Sequence, residues 1–401
     1  MKSKVDNSSP FVYFYEKIIG GRSGLVCLIT LSLLLFIVLP LSLNTFRLNL
    51  TGKYLSYAFV AMGLVMCWGY GGVLSLGQGL FFGIGGYCMA MFLKLEASDP
   101  ESTKIQTTPG IPDFMDWNQV TELPWFWYPF KSLPLTLILI LCLPTIVAFC
   151  MSFFYFKGRV GPVVFAILTQ SMVACVWYLI VGNQGYFGGI NGMTDLKTLN
   201  GWDIRTESAQ VILYFVCVAL LFLCLFFCRY ILASRYGRVL VAQRDREQRV
   251  QFSGYNISNF KIFIFCAAAF VSGIGGAMFT LQVGFMSPNL IGVVPSIDMV
   301  IFTAVGGRLS LYGAAYGALL ISFAKTALSE ANADLWIFFY GSLFIIIVML
   351  LPKGLAGLYT DHIKPRFLAW YYAKKGKPAS GKEEGSSMPI ESSPKLEEAE
   401  K

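Results

Sequence analysis

Apolar runs long enough to cross a lipid bilayer recur along the whole chain and leave few folds open to it. They fall at Ser23–Leu43, Tyr54–Gly71, Val73–Leu95, Leu133–Phe154, Val160–Val181, Ala209–Cys228, Ile262–Val283 and Leu335–Leu351. Shorter pieces at Ser296–Val305 and Leu311–Thr326 extend the series. About 20 apolar residues in a helix match a hydrocarbon core of about 30 Å. Of the 401 residues, 56% are hydrophobic and 13% charged, against about a quarter charged in soluble domains. Lipid cannot satisfy backbone polar groups, so spans with this pattern are helical. The expected fold class is all-α, a polytopic membrane protein of about ten transmembrane helices.

Charge gives the orientation, because short cytoplasmic loops carry an excess of Lys and Arg. Arg229–Lys261 holds seven basic and two acidic residues, whereas Glu96–Lys131 holds six acidic and two basic. The link at Lys157 and Arg159 is basic and the Gly182–Ser208 loop slightly acidic. Ten spans with both termini cytoplasmic satisfy these loops, except that Arg47 and Lys53 fall outside. Trp117, Trp125, Trp127 and Tyr128 are placed as interfacial aromatics at the outer surface. The first run is too long for the core of a secretory signal and lacks a small-residue cleavage site, so it reads as a retained span. The expected divisions are a cytoplasmic segment at 1–22, a membrane domain at 23–359 with an inward loop at 229–261, and a disordered, dispensable cytoplasmic tail at 360–401. That tail is rich in Lys, Glu, Ser, Gly and Pro, a composition that buries little apolar area.

Several chemistries are absent. There is no phosphate-binding Gly-x-x-x-x-Gly-Lys-Ser/Thr loop, no His-Glu-x-x-His and no Gly-x-Ser-x-Gly. The sole histidine, His362, lies in the tail. Cys217, Cys224 and Cys228 share a helical face, but no Cys-x-x-Cys pair accompanies them, so they read as core residues. No catalytic residue, metal ligand or cofactor is expected, and the expected non-protein partner is the lipid bilayer rather than nucleic acid.

The stretch "GYGGVLSLGQGLFFGIGGYCMA" (Gly69–Ala90) carries eight glycines. Each costs a helix about 0.5–1 kcal/mol relative to alanine. Two readings account for them. Gly79 and Gly83 form a Gly-x-x-x-Gly pair that admits a neighbouring backbone, extended by Gly85 and Gly86. Before Gly79, a break in the helix is expected to line a polar passage, because irregular backbone at membrane depth must be buried in protein or face water. Gln78, whose amide needs partners, favours the break. "GGVLSLGQG" (Gly71–Gly79) is echoed by "GGRLSLYGA" (Gly306–Ala314), as in internal repeats of transporters.

"SRYGRVLVAQRDREQRVQFSGYNISNFK" (Ser234–Lys261) is the longest inward segment between spans. A basic helix on anionic lipid is one reading. Asp245 and Glu247 oppose it, and a stop at Gly254 suits a short docking helix that projects into a partner.

"LSLGQGLFFGIGGY", "SRYGRVLVAQRDREQRVQFSGYN" and "AVGGRLSLYGAAYGALL" together resemble the branched-chain amino-acid/urea permeases of ABC importers. "FSGYN" and "GRLSL" tilt the resemblance toward the C-type subunit of urea importers. Gln243 departs from a usually aliphatic position, and Ser310 from a common threonine. The resemblance implies a related second permease, two cytoplasmic ATPase subunits, an extracytoplasmic substrate-binding protein, a bacterial inner-membrane location and an ATPase contact at Gly237–Gly254. Gly237, Arg238, Arg244, Glu247 and Gly254 are the expected coupling residues.

Urea needs hydrogen-bonding groups and no fixed ion partner, whereas an amino acid meets its site through a carboxylate and an ammonium. The candidate pathway residues are Gln78, Thr169, Gln170, Asn183, Asn191 and Asp298, with Gln184 beside them at the outer mouth. For Gln170, an inter-helix hydrogen bond competes equally with a pathway role. An acid at membrane depth marks function by default, but Asp298 opens a short segment and with Ser296 reads as a helix N-terminal cap. Lys325 and Glu330 are expected to snorkel to the outer surface. The alternatives are the same machine carrying branched-chain amino acids or short amides, and a stand-alone channel or ion-coupled carrier. The latter is disfavoured by the docking loop and by the lack of a titratable group well inside a span.

Overall fold

The computed structural model describes residues 21–100, 103, 106–331, 335–350 and 354–358. The tail at 360–401 and nearly all of 1–22 lie outside these residues. Among them are nine helices long and apolar enough to span a membrane: α1 (Ser23–Ser42), α2 (Thr45–Tyr70), α3 (Gln78–Glu96), α4 (Leu133–Lys157), α5 (Pro162–Gly182), α6 (Glu207–Ala233), α9 (Ile257–Val283), α10 (Val293–Gly306, preceded by a 3-10 turn at Pro288–Leu290) and α11 (Leu311–Ala331). Two short helices, α7 (Arg235–Asp245) and α8 (Glu247–Phe252), occupy the basic segment. The apolar run at Leu335–Leu351 contains α12 (Trp336–Leu350). The chain is thus an all-α polytopic membrane protein.

The helices divide by burial. Most of α2, α3 and α9 is buried, whereas α1, α4 and α5 leave most of their length to lipid. The core is built on α9, which packs against α2, α3 and α4. Glycine makes that possible. A Cβ added at Gly85 would sit 2.1 Å from the carbonyl oxygen of Gly273, and one at Gly276 would sit 1.8 Å from that of Phe82. The α3 and α9 backbones therefore touch, as small residues allow in membranes. The expected single glycine face is divided in two. Gly79 and Gly83 meet Ser296 and Ile291, while Gly85 and Gly86 face α9 and Met286. The side chains of Cys217, Cys224 and Cys228 are buried in the core.

Two of the connections between spans meet at a buried cation of α3. Lys94 is 5% exposed; its Nζ lies 2.9 Å from the Asp113 carboxylate and donates at 3.0 Å to the carbonyl of Thr194. It joins the 96–131 and 182–208 connections. Within the first, the Thr108 hydroxyl and the backbone N–H groups of Thr107 and Thr108 hold the Asp116 carboxyl below its ordinary pKa. Of the expected interfacial aromatics, Trp117, Trp125 and Tyr128 are exposed. Trp127 is a correction: it is buried, and its Nε1 donates to the carbonyl of Tyr186.

Candidate functional site

The helical ladder of α2 loosens into a π-turn at Val65–Tyr70 and ends there; α3 begins only at Gln78. Between them the chain turns through Gly72 at φ +70°, a conformation that side chains with a Cβ rarely adopt. The expected break is present, and its backbone polar groups are met by named partners. Val73 N–H donates to the Cys67 carbonyl at 3.0 Å, Leu76 N–H to the Thr169 hydroxyl at 3.2 Å, and Gly77 N–H to Ser75 Oγ at 3.3 Å. The Gly69 carbonyl accepts from Arg244 Nη1 at 2.7 Å. These bonds let irregular backbone persist inside the bundle.

Gln78 stands at the first turn of α3 rather than in mid-span and is fully buried. Its Oε1 accepts from Ser272 Oγ of α9 at 3.2 Å, and its Nε2 has no hydrogen-bond partner. Thr169 is 1% exposed, and the carbonyl oxygen of Thr169 would lie 2.6 Å from a Cβ at Gly77. Gln78 and Thr169 are thus brought to the same break. Gln170, the next residue of α5, is partly buried with an unpartnered Oε1. Asn183, Gln184 and Asn191 are exposed beyond the far end of α5 and do not join Gln78 and Thr169.

The echo motif lies directly against the break. A Cβ at Gly69 would fall 1.7 Å from the carbonyl oxygen of Arg308, and the Tyr70 hydroxyl donates to the Leu309 carbonyl at 3.0 Å. The two copies also share local geometry. Gly307 takes φ +113° where Gly72 takes +70°. Ser310 Oγ accepts from Gly313 N–H at 3.0 Å, as Ser75 Oγ does from Gly77. In each, a helix ends at paired glycines and a serine hydroxyl accepts a backbone N–H near the start of the next helix, just before it at Gly77 and within its first turn at Gly313.

The basic segment leaves the bundle at a tight corner. A Cβ at Gly237 would be 2.1 Å from the Leu232 carbonyl oxygen. Arg238 is exposed along α7, Gly254 closes α8 at φ +84°, and Phe252 is 91% exposed. Glu247 is paired with Lys261 at 2.8 Å. Arg244 corrects the sequence expectation. It is not a free docking side chain, since it bonds to Gly69 and its stem packs on Gly72. Gln243 is 1% exposed with neither amide atom partnered, an environment that would suit an aliphatic side chain.

Asp298 is the clearest correction. It lies inside α10, past the first turn, and caps nothing. Its carboxylate accepts from Lys325 Nζ at 2.6 Å and from the Tyr340 hydroxyl at 3.1 Å. Titratable groups therefore do lie inside spans, contrary to expectation. Lys325 turns to this partner instead of snorkelling, and Glu330 forms a two-bond pair with Arg47 at 2.8 and 2.9 Å. Isolated opposite charges in separate apolar runs were the signal for such pairs.

The chain matches, over residues 46–348, the family described as branched-chain amino acid transport system / permease component. It belongs to that family. The high-affinity branched-chain amino acid transport system permease protein LivM of Escherichia coli (strain K12) is 23% identical over 358 residues, covering 83% of this chain and 75% of LivM. LivM of Salmonella typhimurium is 23% identical over 354 residues with the same coverage. The ribose import permease protein RbsC of Haemophilus influenzae is 27% identical over 127 residues, 30% of this chain and 39% of RbsC. No solved structure matches the chain. These relatives are transport permease subunits, which are not themselves enzymes. Urea is absent from all three names, so that expectation gains nothing from them.

Proposed function

We propose that this permease is the membrane-spanning subunit of an ATP-driven importer in a bacterial inner membrane. It works with a related second permease, two cytoplasmic ATPase subunits and an extracytoplasmic substrate-binding protein. The observation that carries the reading is the Arg244–Gly69 bond, because it links an element projecting from the bundle to the interruption inside it. In this scheme Phe252 and the exposed charges of α7 and α8 meet the ATPase on the cytoplasmic side. When the ATPase subunits close, α7 moves, Arg244 draws on the break, and the Gly69–Arg308 contact passes the movement to the α10–α11 connection. Gln78 and Thr169 line or gate the passage that changes. Asn183 and Asn191 lie at the extracytoplasmic mouth. The bonds at the break are short-range and directional, which suits an element with two discrete arrangements.

The family and the LivM relatives support branched-chain amino acids as the solute class. Urea is the second reading, favoured by Phe252–Asn256 and Gly307–Leu311. Uptake of labelled leucine and labelled urea by cells carrying all subunits, with and without this chain, separates the two. ATP-dependent leucine uptake that vanishes with the chain is the expected result; loss of urea uptake alone would install the second reading. Uptake that persists when the partner ATPase is inactive would instead make the chain a carrier working alone.

A further inference from the structure

A cleft of about 420 Å³ opens between α2, α10, α11 and α12, at the end of the bundle that carries Arg47 and Glu330. It is separate from the break. Its charges do not cancel. Asp298 is taken up by Lys325 and Tyr340, and Glu330 by Arg47. Tyr54 and Thr326 share a short hydrogen bond. That leaves Lys53. Among the described residues no carboxylate lies within ion-pair distance of its ammonium, which lies 5.9 Å from the centroid of the Phe279 ring. Lys53 stands roughly 12 Å into α2 from Thr45, at 1.5 Å per residue. A cation at such depth is costly unless something neutral or negative faces it. One buried hydroxyl is also left over: Ser322, a wall residue of the cleft, is 4% exposed, and its buried Oγ has no hydrogen-bond partner. The remaining wall includes Leu290, Pro295 and Phe302.

We propose that this cleft binds the carboxylate of a small solute with an apolar tail, with Lys53 as counter-ion and Ser322 Oγ as an additional donor. The Lys ammonium acts as a point charge and places no fork geometry on its partner. The Asp298–Lys325–Tyr340 group forms the polar side wall, and the apolar tail rests against Phe302 and its neighbours. The proposal shares with the functional reading only the idea that solute enters from this end, and it does not require transport to be measured.

The test is a binding experiment on the purified full chain in nanodiscs, read as a shift of the thermal unfolding midpoint. The probes are leucine, 4-methylpentanoate (the same tail and carboxylate without the ammonium), leucinamide (the ammonium without the carboxylate) and urea. Leucine and 4-methylpentanoate are expected to raise the midpoint, and leucinamide and urea to leave it unchanged. Lys53→Gln is expected to abolish the carboxylate-dependent shift while unfolding, unliganded, at or above the midpoint of the original chain. Lys53→Arg should keep most of it and Ser322→Ala should reduce it severalfold. The proposal is overturned if no carboxylate probe shifts the original chain, if Lys53→Gln binds as before, or if Lys53→Gln fails to fold, since a needed Lys53 would then already have its partner. If binding fails while leucine uptake persists, the cleft is wrong and the importer reading stands. If binding holds without ATP-dependent uptake, the reverse follows.

Discussion

The guanidinium of Arg244 and the carbonyl of Gly69, 175 positions apart, are joined by a 2.7 Å hydrogen bond. Arg244 also forms an ion pair with Asp245 at 2.9 Å, which orients the guanidinium from the opposite side. A charge-assisted bond of this kind contributes about 1.5–3 kcal/mol. Arg244→Ala is therefore expected to lower solute uptake about tenfold or more while the ATPase still co-purifies. Arg244→Lys, which keeps a donor, should recover part of the loss. Loss of ATPase binding with Arg244→Ala would return the residue to a docking role, and unchanged uptake would remove the link from the mechanism.

The two glycine faces of α3 should respond differently to a methyl group. At Gly85 the added carbon meets the backbone of Gly273, which cannot yield without moving α9. At Gly83 it meets the Ile291 side chain, which has other rotamers open to it. Gly85→Ala is expected to cost about 3 kcal/mol, at the upper end for overpacking, and Gly83→Ala about 1 kcal/mol. Thermal unfolding of the purified variants in one detergent would check the order. Equal losses would mean that the α3–α9 contact is more compliant than its geometry implies.

Lys94 should behave as a structural clasp. Breaking a buried ion pair costs about 3–5 kcal/mol, and the partial exposure of Asp113 brings this down to about 2 kcal/mol for Lys94→Met. The expected consequence is faster proteolytic cleavage within 96–131, with the transmembrane core still folded. Limited proteolysis followed by mass mapping reads both. Unaltered cleavage would show that the 96–131 and 182–208 connections hold themselves in place without the pair.

The sequence alone determined the fold class, the places of the apolar runs and the interruption before Gln78; of the ten spans expected, nine are helices of spanning length among the described residues, and the run at 335–351 holds the shorter α12. These depend on local composition: apolar length sets a span, and a dense run of glycines weakens a helix locally. The kinship of "GGVLSLGQG" and "GGRLSLYGA" was legible for the same reason; the hydrogen bonds that Ser75 and Ser310 make came only from the structure. Which groups meet across the bundle was decided only in three dimensions. Asp298 reads as a cap because the apolar piece in the sequence starts at Ser296, yet the helix begins earlier, at Val293, and the acid faces Lys325 and Tyr340. Arg244 read as exposed because its neighbours are charged, yet its own side chain reaches back to Gly69. Periodicity carries no information about partners so distant in the chain. In lipid, however, an unpaired charge or carbonyl is expensive enough that packing must bring such partners together.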